Sequence, residues 1–452
     1  MKTIILFFLI ALALSACNSA QKEQIVSSKD YDKFLITSMK KHGTDLEQCN
    51  LTIKFWEEKL NQRQDGYIYY QKLADAFEER FELTGNGEDL MRVDSLLQKV
   101  LPYLNDKEKA ADYLRLAQNA ITQHQFKKAE TYVNLAAETH YFVIPSKLVA
   151  FDVAMELGEY GKAAEILELF KEQEDFDILI RQSKFKDHEG DLPTAIALME
   201  KAFELVKNNK SHPLYTWTLG NLGDMYGHAG EIKKSYEAFL KVLSQDPGYD
   251  HAWKGLAWMA YAHDGNTIAA NRIIDSLFIK KSIPDLLWLK AELAGHKGDQ
   301  GKRLKLLNEF CQIASEPEYG DMYNKYLILA YSEELRKPEK ALQLAKKEVK
   351  NRPTPETYAL LAWAYLHSGE KEKALAVIQQ KVEGKSSEPE ILYQAGIIYL
   401  INKKRERAKT LLAMAEESSF ELGPLKEKKL VELSKEKNFD FMFAAEKPFP
   451  LP

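Results

Sequence analysis

The chain has 452 residues with 62 Lys and Arg against 67 Asp and Glu, a formal net charge of −5. That length admits a large core and about three ordinary domains, while the near-balanced charge gives no electrostatic footprint for nucleic acid. An apolar fraction of 45% with 29% charged residues excludes a disordered or polytopic membrane chain, and three cysteines exclude a disulfide scaffold. Only 22 Gly and 15 Pro beside 22 Tyr and 21 Phe point to few loops and much packed helix.

In chain order, residues 1–16 read as a signal peptide. Lys2 supplies the positive start, and the apolar run Ile4 to Leu14 is too short to span a bilayer as a mature helix. The run ends in Leu14-Ser15-Ala16-Cys17, which resembles the bacterial lipobox; the resemblance implies acylation of Cys17 and a mature chain that starts there, held at a membrane. Asn18 is, by resemblance to sorted lipoproteins of Gram-negative bacteria, compatible with the outer membrane; no acidic export cluster follows, which favours the periplasmic face over the cell surface. Residues 17–30 are polar and unpatterned and read as a flexible tether. Residues 31–66, with Phe34, Phe55, Trp56 and Leu60, read as an N-terminal helical cap.

From residue 67 the chain repeats with a period of about 34 residues. Units start near 110, 144, 176, 216, 250, 284, 322, 355 and 389, with a looser unit from 67. The unit at 216 carries Leu219, Leu222, Gly223, Tyr226, Gly230, Ser235, Phe239 and Pro247; the unit at 355 carries Tyr358, Leu361, Ala362, Tyr365, Gly369, Ala374 and Ile378. This order resembles the tetratricopeptide repeat (TPR) family, which implies an all-α, right-handed α-solenoid of about ten helix-turn-helix repeats over residues 67–422. Small residues in the first helix (A) and second helix (B) of each unit would let helices approach, with Tyr226, Phe239 and Tyr365 filling the gaps. Phe151, Ser183, Arg303 and Leu329 depart from the small pattern and predict less regular seams. Residues 423–452 read as a charged capping helix and a Pro-rich tail.

No catalytic constellation survives its context, so neither an enzyme nor a cofactor is expected. Gly384-Lys385-Ser386 lies between helical repeats without a preceding strand, unlike a phosphate loop. His188, His228, His296 and His367 share a late slot of helix A, but repeats sit about 8–10 Å apart, too far to share one metal ion. Cys49 and Cys311 are separated by many repeats and are not expected to pair.

In the TPR family, ligand contacts come from inward-facing slots of helix A. Carried over, those slots hold Trp217, Asp224 and His228, then His251, Lys254, Trp258 and Tyr261. The next units offer Trp288, Glu292 and His296, then Tyr323 and Tyr326. The last two offer Glu356, Trp363 and His367, then Glu390 and Tyr393. Aromatic anchors among charges compose protein-binding surfaces; the other reading is that these side chains pack between adjacent A helices. The expectation is a membrane-anchored scaffold that captures another envelope protein or peptide. The alternative is a glycan-binding outer-membrane lipoprotein, since one Bacteroidota family of that kind also builds on TPR helices.

Overall fold

The computed structural model describes residues 24–63, 66–281 and 283–435. The signal segment, the proposed acylation site Cys17 and the Pro-rich tail lie outside the described residues.

A long helix, α1 (Ser28–Gln62), precedes ten antiparallel helix pairs among the described residues. The first four are α2/α3 (Tyr67–Thr84, Gly87–Val100), α4/α5 (Asp106–Thr122, Phe126–Glu138), α6/α7 (Val143–Glu156, Tyr160–Glu168) and α8/α9 (Phe176–His188, Leu192–Val206). The next three are α10/α11 (Pro213–His228, Ile232–Gln245), α12/α13 (Asp250–Ala262, Thr267–Lys280) and α14/α15 (Pro284–His296, Gln300–Ala314). The last three are α16/α17 (Asn324–Glu333, Pro338–Asn351), α18/α19 (Pro355–His367, Lys371–Val377) and α20/α21 (Pro389–Ile401, Arg405–Glu417). A π-helical turn, Ile378–Val382, prolongs α19, and two further helices close the described chain, α22 (Ser419–Leu422) and α23 (Pro424–Lys435). The fold is the all-α solenoid that the repeat period predicts.

Local chemistry sets the helix ends. Asn105 and Glu108 form a reciprocal capping box at α4, with Glu108 N donating to Asn105 Oδ1 at 3.1 Å and Asn105 N to Glu108 Oε2 at 3.0 Å. Pro213, Pro284 and Pro389 do more than end the preceding helix: each opens the next one, at the position where a missing N–H costs nothing. The small slots do what the pattern requires. A Cβ on Gly223 would lie 2.7 Å from the Phe239 ring, so the ring fills the space the glycine leaves.

The four departures fill their slots by other means. Phe151 is fully buried and Leu329 nearly so. Ser183 Oγ donates to the Ala195 carbonyl at 2.7 Å. Arg303 reaches Glu292 at 3.2 Å and Glu334 at 3.0 Å, so a buried guanidinium with paired charges replaces the usual alanine.

The solenoid closes on itself. Lys281 Nζ donates to the Glu82 carbonyl, a pair 199 residues apart, and Asn351 Nδ2 to the His124 carbonyl at 2.7 Å, a pair 227 residues apart. Arg352 pairs with Glu156 at 3.1 Å along the same seam. Gly158 shows why this seam needs glycine: its φ is +71°, and a Cβ there would lie 3.0 Å from the Pro353 carbonyl oxygen.

Both termini depart from the sequence reading. Residues 25–30, expected within a tether, are docked: Ile25 N and Val26 N donate to the Asp264 carboxylate at 3.1 and 2.8 Å, and Ser27 N to Tyr236 Oη at 3.0 Å. Helix α1 covers the first pair through Cys49 and Ile53, but its N-terminal half packs on α11 and α13, where Tyr31 meets Trp253 edge-on at 5.9 Å. The segment after 418 covers the last pairs through Leu430 and Leu433, and it also turns back onto the inner A helices α10 and α14.

Candidate functional site

The inner faces of α10, α12, α14 and α16 bound a cavity of about 510 Å³, closed on another side by Phe420, Glu421, Leu422 and Lys426 of the C-terminal segment. Of the sequence-derived groove residues, Asp224, His251, Lys254 and Trp258 line it from the first two of these helices. Trp288, Glu292 and Tyr326 line it from the other two.

The wall is a series of paired charges between aromatic faces. His251 Nε2 and Asp224 Oδ2 lie 2.5 Å apart, linking α12 to α10. Lys254 Nζ reaches Asp285 Oδ2 at 2.9 Å, and Tyr323 Oη donates to Asp285 Oδ1 at 2.9 Å. Burial works to lower the Lys254 ammonium, but the Asp285 carboxylate overrides it and holds Lys254 above its ordinary value. Burial likewise works to raise Asp285, and Lys254 with the Tyr323 hydroxyl holds it below the usual carboxylate range. Trp288 stands against Tyr326 with ring centroids 5.0 Å apart and against Phe310 at 5.5 Å, so one of its faces is committed to packing. Farther along, Lys325 and Arg352 hold Glu356 at 2.8 and 2.7 Å; burial works to raise that carboxyl, and the two cations override it and bring it to about 2.

Eight of the expected groove residues do not line the cavity, among them Trp217, Tyr261, Trp363 and Tyr393. Trp217 packs edge-on to Phe176 at 6.2 Å and remains 36% exposed, outside the cavity lining. Tyr261 is fully buried between Trp258 and His296. Trp363, 0% exposed, donates its indole N–H to Glu333 Oε1 at 3.0 Å, and Tyr393 lies in the same core cluster at 2% exposure. For these last three, packing is the correct reading of the aromatic side chain. The histidine stripe resolves into separate contacts: His188 stacks on Tyr160, His296 meets Tyr261, His367 meets Trp363, and His228 faces Glu421 at 3.8 Å.

Sequence reasoning missed the fourth wall. Trp258 Nε1 donates to the Phe420 carbonyl at 3.0 Å, and a Cβ on Gly423 would lie 2.7 Å from the Trp258 ring. Lys426 Nζ bonds Glu390 Oε2, and Gln394 Nε2 supports the same carboxylate at 3.2 Å. The only local signal was the lysine-rich run from Lys426 to Lys429, which reads equally well as a solvated face.

Fold and channel define a helical-repeat solenoid of TPR-like pairs whose concave face holds a segment of its own chain. No family model matches the chain, and no curated protein matches it in sequence. Among solved structures it is similar to a tetratricopeptide repeat protein from Parabacteroides merdae, at 17% identity over 57% of this chain and 98% of that one, with a TM-score of 0.33. It is also similar to yeast Tom70 at 16% identity over 90% and 100% of the two chains, TM-score 0.34. The APC/C Cut9-Hcn1 structure is similar at 15% identity over 96% and 82%, TM-score 0.41.

Proposed function

We propose that this protein is a non-enzymatic scaffold, held at a bacterial outer membrane by acyl chains on Cys17, that captures a segment of another envelope protein in its concave channel. One observation carries the reading: the channel already accommodates peptide. The Trp258 indole grips a main-chain carbonyl, Phe420 O, at 3.0 Å, a contact that any backbone can make. Paired charges beside it, Lys254 with Asp285 and His251 with Asp224, keep the A helices in register around the opening. The anchor rests on Leu14-Ser15-Ala16-Cys17 and the short apolar run before it. The glycan alternative has no observation in its favour, because Trp363 is inside the core and Gly423 sits on the Trp258 ring.

Two measurements test it. Cys17→Ala is expected to abolish palmitate incorporation and release the protein from membranes; a variant that still partitions to membranes overturns the anchor. A photo-crosslinker placed as Tyr326→benzoylphenylalanine is expected to capture one envelope protein, with the adduct lost in Trp258→Ala. Adducts confined to the protein's own C-terminal segment overturn capture in the channel.

A further inference from the structure

We propose that residues 419–435 are an exchangeable plug, and that the partner's docking segment is a basic amphipathic helix led by an aromatic residue, with a neutral or cationic side chain where the plug carries Glu421. The inference rests on the channel being the capture site.

The plug displays what the channel recognises. Phe420 sits against α10, where a Cβ on Gly227 would lie 3.1 Å from its ring. Gly423, at φ +78°, then swings the chain across Trp258. Helix α23 follows with Lys426 bonded to Glu390, while Lys429, one turn on, lies in the field of Glu333 and Glu334. The plug therefore presents an aromatic lead at Gly227, an apolar step in which Leu425 packs at Gly295, and lysines three apart that face carboxylates.

The same contacts make the plug replaceable. Glu421 enters among Asp187 and Glu388, with the His228 ring 3.8 Å away. Burial raises its carboxyl, and the two neighbouring acids raise it further against the pull of His228. Burial also lowers the Lys429 ammonium despite its acidic neighbours. Buried ion pairs return little net stability once desolvation is counted. The cavity of about 510 Å³ left beside the plug forfeits the dispersion contacts that a fitted end cap would make. A segment with no carboxylate at the Glu421 position, and with bulk for the cavity, binds better than the plug does. Self-occupancy taxes that binding in proportion to the fraction of time the channel is closed.

The experiment uses the full-length chain and two fluorescein-labelled synthetic peptides, residues 419–435 as they stand and the same peptide with Glu421→Lys, read by anisotropy. Hydrogen–deuterium exchange of 419–435 is followed in parallel with that of α20. The expected result is faster exchange in the plug than in α20, and roughly tenfold tighter binding of the Glu421→Lys peptide than of the native one. A host carrying Lys426→Glu, which sets like charge against Glu390, is expected to bind both peptides more tightly than the wild-type host. Plug exchange as slow as in α20, with neither peptide bound, makes the segment a permanent cap and overturns the exchange; capture by Tyr326→benzoylphenylalanine then decides the scaffold reading separately. Fast plug exchange with no peptide binding overturns both readings. Should Lys426→Glu fail to fold, wild-type exchange and the two peptides still decide.

Discussion

Both ends of the described chain return to the same stretch of solenoid, α10 to α14, and different physics holds each of them there. Helix α1 lies on the B-helix side. Its approach is apolar, with Val26, Tyr31 and Leu35 buried in the cluster that contains Trp253, and its leading amides are satisfied by Asp264. The C-terminal segment lies on the A-helix side and brings charges with it: Glu421 among acids, Lys426 on Glu390 and Lys429 near Glu333. Apolar burial with the leading amides paired produces a brace. Charge burial beside a void produces a latch, because the same desolvation that costs the docked state is recovered on release.

The largest test of this contrast is a pair of tryptophans. Trp253 is fully buried, meets Tyr31 and donates to the Pro247 carbonyl at 2.8 Å. Trp253→Ala is expected to cost about 3–5 kcal/mol in urea unfolding. Trp258→Ala, on the latch side, is expected to cost less than half of that and to speed exchange in 419–435; equal costs would break the comparison. Next comes Asp264→Ala, which strips two amides of their acceptor and is expected to cost about 1.5–3 kcal/mol. Proteolytic cutting near residue 27 should appear with it. On the seam between solenoid turns, Gly158→Ala adds a Cβ at φ +71° against the Pro353 carbonyl. The expected loss is about 1–2 kcal/mol, read as a lower Tm.

The helix pairs were legible because each unit repeats its small residues, as Ala117, Ala257, Ala291 and Ala362, all fully buried, illustrate. The channel was partly legible for the same reason, since slots such as Asp224, Lys254 and Trp258 follow from position within helix A. Closure was not legible. A contact such as Lys281 to Glu82 depends on rotation accumulated over many units and leaves no local pattern. The burial of Trp363 and Tyr393 has a separate non-local source, since they share a core cluster with Leu430 and Leu433 of α23. Tyr261 is another case: it shares a helix face with Trp258, yet it is fully buried while Trp258 still lines the cavity.

The smallest expected effect is also the most local, and it sharpens the latch. Burial raises Glu421 to about 7, reinforced by Glu388 and Asp187 and opposed by His228. A carboxyl raised in the docked state stabilises docking fully below its ordinary value near 4.5, and that contribution is lost as pH climbs through about 7. Raising pH from 6 to 8 should therefore increase opening of 419–435 by up to about tenfold, after correction for intrinsic exchange rates. Glu421→Gln removes the titrating group and should flatten that rise. The exchange of residues 28–40 in the brace, where Tyr31 and Leu35 are buried and the Asp30 and Asp32 carboxyls pair with Tyr236 and Arg272, should stay level over the same range; a parallel rise there would mean the whole solenoid loosens and the latch is not a separate element.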